Sequence, residues 1–443
     1  MAKKALIIGA GIIGLCTGYS LLRRGCQVMI VDRDDPDHEG CSFGNAGMVV
    51  PSHVIPLAAP GMIRMALKMM VKPASPFFIR PRLSWDLLDW SWKFMRSANL
   101  RHVDRSAPIL RDLHLASRAL YEQLAELPGA DFGLTKLGLL MLCKSENALH
   151  EEAALAIRAK ELGIAAEVLD SAQTAARDPT VSMDVAGSVY FPLDCHLRPD
   201  RLVIFLRKLL AEAGVKFVWK DPVTGWRREG DRISAATTSR GEISADEFVL
   251  CGGSWSPALT RDLGIRLPIQ AGKGYSLTLK KPRRLPKLCS ILTEARVAVT
   301  PMGDTLRFGG TMEIAGLNQK ISDGRVRGLI ESIPEYFPEF SPDDFENVPV
   351  WSGLRPCSPD GLPYIGRAGS YANLNIATGH AMMGISLGPI SGELIGQIIC
   401  REKLVVDISL LDPMRFSRSR TSRDRESVGR VLTRQPVDGP AAG

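Results

Sequence analysis

Gly9-Ala10-Gly11-Ile12-Ile13-Gly14 decides the fold, and Gly379-His380-Ala381-Met382-Met383-Gly384 completes the pattern near the other end of the chain. The first stretch follows an apolar run at residues 4–8 and opens a predicted helix at 12–24. The second opens another apolar helix, predicted at 385–400. Neither motif is specific alone. Together they predict a discontinuous dinucleotide-binding domain that surrounds an inserted substrate domain.

The N-terminal glycines have distinct physical roles in a strand–helix–strand unit. Gly9 makes the tight turn, Gly11 lets the backbone approach a pyrophosphate, and Gly14 lets the helix pack on the strand. The helix N-terminus attracts the phosphate charge. Asp32 ends the next predicted strand, at 26–32, where a carboxylate can accept hydrogen bonds from the hydroxyls of an adenosine ribose.

Two other interpretations of the N-terminus compete with this one. Residues 1–16 carry Lys3 and Lys4 before an apolar run, which is the pattern of a secretory signal. Removal of a signal would discard every glycine of the motif, which argues against it. The same glycines also fit an NAD dehydrogenase, and the second motif at 379–384 argues against that alternative.

The composition is that of an enzyme with a large core. The 443 residues suffice for two or three domains of roughly 100–200 residues each. No apolar run approaches the ~20 residues of a spanning helix. Nine scattered cysteines without a CxxC pair predict reduced thiols in the cytoplasm, and argue against disulfides or structural zinc. The dispersed histidines lead us to predict no metal site.

The net charge of +7 does not indicate a nucleic-acid-binding protein, because much of it lies at the C-terminus. Residues 413–443 contain seven arginines but only three carboxylates, with many Ser and Thr. We predict a disordered, solvated tail there. A contact of this tail with anionic lipid or an acidic partner is the alternative.

Two further segments suggest a ligand site and its cover. Ser42-Phe43-Gly44-Asn45-Ala46-Gly47 combines small residues with an amide, which suits close approach to a flat ring system. Residues 60–95 are rich in Met, Trp and Phe, with Arg64, Lys68 and Lys72 at helical spacing. This basic stripe could rest on a membrane surface. We favour a lid whose stripe faces water.

Glycines recur in the second half of the chain. A predicted strand at 248–250 runs into Cys251-Gly252-Gly253, as where a sheet edge meets a bound cofactor. Gly272-Lys273-Gly274-Tyr275-Ser276 lies on another predicted strand. The most specific block is WSGLRPCSPDGLPYIG at 351–366, and Asn375-Ile-Ala-Thr-Gly-His380 follows it closely.

With the N-terminal motif, this block resembles the flavin-dependent amine oxidoreductases, the family that includes D-amino-acid oxidase, glycine oxidase and sarcosine oxidase. The resemblance is greatest to bacterial D-amino-acid dehydrogenases and covers residues 3–412; the stretches 42–47, 56–61 and 272–276 support it. It implies an α/β plus α+β fold: a discontinuous Rossmann-like FAD-binding domain with an inserted mixed-sheet substrate domain.

The resemblance also implies domain limits and FAD contacts. We expect the FAD-binding domain at 1–55, 186–262 and 350–412, and the substrate domain at 56–185 and 263–349. FAD is expected to be noncovalent, since Cys357 lies in no attachment motif. The backbone of Val223 would meet adenine, and the helix at 385–400 would direct backbone donors at the flavin pyrimidine. The expected FAD contacts are Gly9, Ala10, Gly11, Ile12, Ile13, Gly14, Asp32, Arg33, Ser42, Asn45, Ala46, Gly47, Val223, Gly252, Gly253, Gly379, His380, Met383, Gly384 and Ile385.

In such an enzyme flavin N5 takes the α-hydrogen of an amino acid as hydride, giving an imine and then a 2-oxo acid, so no catalytic side-chain base is obligatory. Arg355 is the candidate for the substrate carboxylate, because a planar guanidinium matches it in a bidentate way. The alternative is an arginine bound to flavin or to a loop carbonyl. The D-amino-acid oxidase pattern has a second arginine where Ser358 stands, which makes transfer of that pocket unsafe. Tyr275 and His53 are further candidates for substrate contact, with a buried structural role as the alternative.

The electron acceptor follows from Arg307. The sarcosine-oxidase branch carries a lysine there that assists reaction with oxygen, so its replacement favours a dehydrogenase that reduces a quinone or respiratory carrier. We expect a small neutral substrate such as D-proline or hydroxy-D-proline, and a cytoplasmic protein or one peripheral to the inner membrane face. The alternatives are a glycine- or sarcosine-type oxidase, and a flavin subunit of a hetero-oligomeric dehydrogenase.

Overall fold

The computed structural model describes residues 2–69, 75–82 and 84–417. Strands and helices are numbered in chain order. The strands β1 to β20 are Lys4–Ile8, Gln27–Val31, Met48–Val49, Phe77–Ile79, Leu139–Cys143, Glu167–Asp170, Gly187–Phe191, Cys195–His196, Lys216–Val218, Val223–Glu229, Arg232–Thr238, Gly241–Ser244, Glu247–Leu250, Gln270–Leu279, Cys289–Leu292, Val297–Met302, Thr305–Ile314, Val350–Cys357, Tyr364–Arg367 and Leu374–Thr378. The helices α1 to α10 are Ile12–Arg23, Met62–Met69, Trp85–Ser97, Leu100–Ala125, Glu146–Glu161, Ser171–Arg177, Pro199–Glu212, Ser256–Thr260, Asp323–Tyr336 and Gly384–Cys400.

A six-stranded sheet carries the dinucleotide-binding half of the fold. Its order is β19-β20-β13-β1-β2-β9, and all neighbours are parallel except β19 and β20. The central strand β1 pairs on one side with β2 and on the other with β13, so that Ala5 faces both Val28 and Glu247. Strands from the start, middle and end of the chain therefore share one sheet. The discontinuous Rossmann-like fold predicted from the two glycine motifs is confirmed.

Helices α1 and α10 pack directly against each other through glycines of α10. A Cβ placed at Gly392 would lie 2.4 Å from the backbone carbonyl of Cys16, and one at Gly388 would lie 2.9 Å from Ile12 Cγ1. Both helices follow parallel strands of the same sheet. Their N-termini therefore lie at the same sheet edge, at the carboxyl ends of the strands.

A larger mixed sheet forms the second layer. It follows the order β18-β14-β17-β16-β15-β5-β7-β6, with β4 added beside β17. Strands β7 and β18 belong to this sheet, although both lie in ranges that we expected to form the FAD-binding domain, 186–262 and 350–412. A three-stranded sheet of β10, β11 and β12 and the short pair β3 and β8 complete the strand pairing among the described residues.

Helix α4 runs from Leu100 to Ala125 and contains Pro108. Its first turn is stabilised by the side chain of Asn99, which accepts a hydrogen bond from the His102 N–H at 3.0 Å. An N-cap of this type satisfies a backbone donor that the helix itself leaves free.

The predicted stripe and tail lie partly outside the described residues. Arg64 belongs to α2, but the Lys68 side chain and Lys72 are not described. The first residues of the expected tail, 413–417, dock on the body of the protein. Arg415 forms an ion pair with Asp360 at 2.8 Å, and its guanidinium lies 3.9 Å from the Tyr364 ring centre. Residues 418–443 are outside the described part.

Among the helices that the structure describes, none has the length and apolar character needed to cross a bilayer.

Candidate active site

The first glycine motif forms an open cradle at the N-terminus of α1. Gly9 has φ +110°, and a Cβ there would lie 2.6 Å from the Cys251 carbonyl oxygen. A Cβ at Gly14 would lie 1.9 Å from the Gly9 carbonyl oxygen. By contrast, a Cβ at Gly11 would meet only Ser42 Oγ, at 3.6 Å. The turn and the helix packing thus require glycine at 9 and 14, whereas Gly11 borders free space that fits a diphosphate.

Asp32 lies beside this cradle at the end of β2. Its Oδ2 accepts a hydrogen bond from the Ala10 N–H at 2.6 Å, and its backbone carbonyl accepts one from Asp221 at 3.0 Å. The second contact brings the segment before Val223 to the same edge. Arg33 stacks on Trp255, with 3.6 Å between the guanidinium carbon and the ring centre. These contacts gather Asp32, Arg33, Val223 and the turn after β13 at the sheet edge where an adenosine would bind.

The loop at 42–47 is held against both sheets. Ser42 Oγ accepts from the Ile12 N–H at 3.1 Å, and Asn45 Oδ1 accepts from the Gly47 N–H at 2.8 Å. Arg307 Nη1 donates to the carbonyls of Phe43 at 3.2 Å and Asn45 at 2.8 Å. Burial lowers the pKa of Arg307. Arg307 therefore positions the loop at 42–47, which contacts the start of α1 through Ser42 and the large mixed sheet through Arg307 itself.

The second glycine motif lies at the N-terminus of α10. Gly379 has φ +80°, and His380 Nε2 lies 2.8 Å from Ser391 Oγ. Burial lowers the pKa of His380 to about 3, so this side chain is neutral. Gly384 opens the helix after Met383, and no side chain in the described part of the chain caps it. Tyr121 donates to the Ile385 carbonyl at 2.6 Å and fixes this first turn.

Arg355 lies on β18 above a floor of glycines. A Cβ at Gly274 would lie 2.2 Å from Arg355 Nη2, so the guanidinium covers this residue. Arg355 Nη1 donates to the Thr311 carbonyl at 2.5 Å. Burial lowers the pKa of Arg355. Its neighbouring thiols Cys41 and Cys357 are neutral, because burial raises their pKa values to about 11 and about 12. A half-buried cation without a carboxylate partner among the described residues is suited to an anionic ligand.

Thr311 is a residue that the sequence did not single out. Its φ is +64°, which is unusual for a β-branched residue. The register between β14 and β17 shifts at this point, so Thr311 and Met312 both stand opposite Gly274. The bulge directs the Thr311 carbonyl to Arg355. The two glycines that precede it, Gly309 and Gly310, were the available signal.

Tyr275 is directed away from Arg355. Side chains alternate along a strand, and Gly274 faces Arg355. The Tyr275 hydroxyl donates to Glu313 Oε2 at 2.9 Å and accepts from the Ser322 N–H at 3.2 Å. The structure thus places Tyr275 in a satisfied buried network on the opposite face of the sheet, which was the alternative considered from the sequence.

His53 lies on the segment that follows β3, next to the start of α10. The Val50 N–H donates to Ser386 Oγ in the first turn of α10, at 3.0 Å. His53 Nδ1 lies 3.0 Å from Ser52 Oγ. Burial lowers the pKa of His53 to about 4, yet the side chain keeps part of its surface accessible. The imidazole is therefore half-buried, on a segment that contacts the first turn of α10.

Backbone contacts join Arg355 to the same helix start. The Ala381 N–H donates to the Pro356 carbonyl at 2.9 Å, and Cys357 forms a β-bridge with His380. Trp90 of α3 donates to the Cys357 carbonyl at 2.9 Å. The site is therefore enclosed by the α10 N-terminus, the glycine floor of the large sheet and the inner face of α3.

A dinucleotide cradle at one sheet edge and a half-buried cation on an inserted mixed sheet define the class of two-domain flavin oxidoreductases. The family model "FAD dependent oxidoreductase" matches residues 4–398, and the chain belongs to this family. FAD is accordingly its cofactor.

Curated relatives and solved structures agree with this family. The D-amino acid dehydrogenase of Granulibacter bethesdensis is 32% identical over 94% of this chain and 100% of its own length. The D-amino acid dehydrogenase of Rhizorhabdus wittichii is 33% identical over 89% of this chain and 96% of its own. Glycine oxidase from Geobacillus kaustophilus superposes with a TM-score of 0.74 at 23% identity, covering 94% of this chain and 99% of that one. These values confirm the family and fold expected from the sequence.

Replacing Gly11 by leucine should prevent FAD binding without unfolding the protein. A Cβ at Gly11 meets only Ser42 Oγ, so the larger side chain would occupy the cradle itself. We expect a purified variant with native circular dichroism and no flavin absorbance, and at least a hundredfold weaker FAD binding in reconstitution. The control is Gly163→Ala in an open turn, which should stay yellow. A Gly11→Leu protein with a full flavin spectrum would contradict the cradle assignment.

Proposed function

We propose that this protein is an FAD-dependent dehydrogenase of small neutral D-amino acids. The observation that carries the proposal is Arg355, a half-buried guanidinium that covers Gly274 and has no carboxylate partner among the described residues. It lies beside the N-terminus of α10, where the family resemblance implies the flavin. The printed names of the curated relatives, D-amino acid dehydrogenase, support the substrate class.

The cofactor contacts follow from the two helix N-termini. Gly11 and the first turn of α1 would hold the diphosphate, with Asp32 at the ribose and Val223 and Arg33 near the adenine. Met383, Gly384 and the uncapped first turn of α10 would meet the flavin. No cysteine attachment motif supports a covalent bond, so FAD would be noncovalent. The bound flavin would supply the hydride acceptor for the α-hydrogen of the substrate.

The chain itself would bind and orient the substrate. Arg355 would hold the carboxylate with Nη2 and Nε, because Nη1 already donates to Thr311. The hydrogen bond from Nη1 to the Thr311 carbonyl fixes the plane of the guanidinium, and this plane sets the direction in which the carboxylate would lie. Enclosure by α3 would exclude water from the reacting carbon.

The walls near Arg355 favour a small neutral side chain. Leu87, Trp90, Met312 and Cys357 form one buried apolar cluster there. No carboxylate shifts the pKa of Arg355, so a basic substrate side chain would find no counter-charge at this position. We therefore expect D-proline and hydroxy-D-proline to be substrates.

The outer face of α3 offers a surface for the electron acceptor. Trp85 is 86% exposed and Trp92 58% exposed, and Leu88 and Met95 lie on the same helical face. The nearby Arg96 is exposed and forms no ion pair within the described residues. Exposed tryptophans beside unpaired cations are typical of a surface that rests on anionic lipid. We propose a peripheral contact with the membrane here, and a membrane quinone as the acceptor.

Replacing Trp85, Leu88 and Trp92 together by serine should weaken vesicle binding at least tenfold. Each large apolar side chain that enters the interface contributes about 1.5–3 kcal/mol at full burial. The measurement is co-sedimentation with phosphatidylglycerol vesicles, with phosphatidylcholine vesicles for comparison. Leu155→Ser with Ile157→Ser on α5 is the matched control, because these residues are also exposed. Equal binding of the triple variant and the wild type would exclude this surface, and would favour a partner subunit on α3.

The function is tested by anaerobic titration of the flavin absorbance with paired D- and L-amino acids, glycine and sarcosine. We expect D-proline and other small neutral D-isomers to bleach the flavin band, and their L-isomers to leave it unchanged. Readmitted air should restore the band slowly and a soluble quinone should restore it fast. Bleaching by glycine or sarcosine with rapid recovery in air would favour the oxidase instead. A flavin that no amino acid bleaches would overturn the proposal.

A further inference from the structure

Asp194, Ser52 and His53 form a continuous hydrogen-bonded row that ends at a half-buried imidazole near the start of α10. Ser52 Oγ donates to Asp194 Oδ2 at 2.5 Å, and the Ser52 N–H donates to Asp194 Oδ1 at 3.0 Å. Ser52 Oγ in turn lies 3.0 Å from His53 Nδ1. Asp194 is completely buried in the turn between β7 and β8. The row therefore runs from a buried carboxyl to an imidazole with accessible surface.

The direction of these hydrogen bonds fixes the form of the imidazole. Because the Ser52 hydroxyl donates to Asp194, its oxygen is left to accept from His53 Nδ1–H. A neutral histidine with its proton on Nδ1 has a lone pair on Nε2. No described residue forms a hydrogen bond with His53 Nε2. The imidazole therefore presents a proton acceptor at Nε2.

The substrate class gives this acceptor a task. An amino acid in water carries an ammonium group, and its nitrogen lone pair must be free before the carbon–nitrogen bond can be oxidised to an imine. The released proton must leave an enclosed site. We propose that His53, Ser52 and Asp194 form a relay that removes this proton, a role that rests on the proposed amino-acid oxidation.

The relay balances as a single proton moved along three groups. The ammonium proton passes to His53 Nε2, the Nδ1 proton passes to Ser52 Oγ, and the Ser52 hydroxyl proton passes to Asp194 Oδ2. The amine gains a free lone pair, His53 ends as the neutral Nε2–H form, and Asp194 ends protonated. No electrons are exchanged. His53 is thus the catalytic residue in contact with the substrate, while Ser52 and Asp194 act behind it.

The pKa values of His53 and Asp194 agree with proton transfer from His53 towards Asp194. Burial raises the pKa of Asp194 to about 7, with the Ser52 hydrogen bonds and Arg118 acting in the opposite direction. The α-amino group of a peptide has a pKa of about 8, and the ammonium group of a free amino acid holds its proton more tightly still. Burial lowers the pKa of His53 to about 4. Asp194 therefore binds a proton more tightly than His53 does, so a proton that reaches His53 passes on to Asp194.

The neighbouring titratable groups do not interrupt the row. His114 of α4 interacts electrostatically with His53, and burial lowers the pKa of His114 to about 3, so it is neutral. Its Nδ1 lies 2.8 Å from Ser386 Oγ, outside the row. The groups facing Asp194 are Arg118 of α4 and the buried thiols Cys195 and Cys289, whose pKa values burial raises.

The test is the pH dependence of anaerobic flavin bleaching by D-proline. In the wild type the rate should fall as the pH drops below about 7, because Asp194 is then already protonated. In Asp194→Asn the proton must leave from the ammonium group itself, so the fall should move up by more than about one pH unit, with a rate more than about tenfold lower at pH 7. Ser52→Ala and His53→Asn interrupt the same row and should give the same shift. The double variant Ser52→Ala with His53→Asn should be no slower than either single variant.

A binding measurement separates proton removal from a structural role. Isobutyrate has the carboxylate but no amine, and 2-aminoisobutyrate has both but no α-hydrogen to lose. Calorimetry in two buffers of different ionisation heat counts the protons released on binding. Near pH 7.5 the wild type should release fewer protons with 2-aminoisobutyrate than Asp194→Asn does, and isobutyrate should bind equally to both. His150→Gln on the exposed face of α5 is the control with a wild-type profile.

The possible results distinguish failure of the relay from failure of the proposed function. Unshifted pH profiles in Ser52→Ala and His53→Asn would overturn the relay even if Asp194→Asn fails to fold, and so would additive losses in the double variant. A wild type that no amino acid bleaches would overturn the function and the relay with it. A wild type that is bleached, with variants of unchanged profile, would overturn the relay alone.

Discussion

Replacing Arg355 by methionine should raise the KM for D-amino acids by about 100- to 10,000-fold while FAD stays bound. Two charge-assisted hydrogen bonds to the carboxylate would be lost, each contributing about 1.5–3 kcal/mol. Methionine fills similar space above Gly274 and leaves the fold intact. The measurement is steady-state kinetics with a quinone acceptor, together with the dissociation constant of isobutyrate from flavin absorbance.

The controls distinguish charge from shape. Arg355→Lys keeps the cation but loses the planar fork, so its KM should lie between those of the wild type and Arg355→Met. Arg327→Met on the exposed side of α9 should leave KM unchanged. If isobutyrate binds to Arg355→Met as tightly as to the wild type, Arg355 does not hold the carboxylate.

Replacing Gly392 by alanine should destabilise the protein by about 3 kcal/mol or more, at the upper end of the overpacking range. The new Cβ would lie 2.4 Å from the Cys16 carbonyl and 2.6 Å from the Thr17 nitrogen. These are backbone atoms that cannot rotate away, so α1 and α10 must separate. With roughly 2.1 cal/mol/K of unfolding entropy per residue over 443 residues, 1 kcal/mol corresponds to about 1 °C, so the thermal midpoint should fall by about 3 °C or more. Differential scanning calorimetry measures both quantities.

FAD retention provides a second result for the same variant. Both glycine motifs lie at the N-termini of these two helices, so their separation should release FAD during gel filtration. Gly324→Ala is the matched helical control, because no atom lies within 4 Å of its new Cβ. A Gly392→Ala protein with the wild-type midpoint would show that the helices can adjust at no cost.

The sequence predicted the parts of the site that depend on local geometry. Gly9 and Gly14 have a turn and a helix contact that only glycine permits, so their spacing alone indicated the strand–helix unit. The second motif, at 379–384, fixed the discontinuous topology because it opens another helix at the same sheet edge. Arg355 emerged through the family resemblance, and its role in carboxylate binding stays a prediction.

The parts that escaped prediction depend on contacts between distant segments. The direction of Tyr275 follows from strand parity against Gly274, which no pattern at 272–276 reveals. The conformation of Thr311 depends on a register shift between two strands. Arg415 is held against the protein by its ion pair with Asp360, a residue that is distant in the sequence. Likewise, Asp194 and Ser52 become neighbours only after β3 has paired with β8.

The interleaved sheet also constrains how the chain can fold during synthesis. Strand β1 is made first, but Ala5 needs Glu247 as a partner, and Phe248 needs Leu374 in turn. A ribosome-bound chain that ends before β20 and α10 would therefore expose the apolar faces of β1 and α1 without their cover. FAD could bind only after the last helix has emerged. We expect truncation before α10 to yield an aggregating polypeptide, and chaperones to be needed for most of translation.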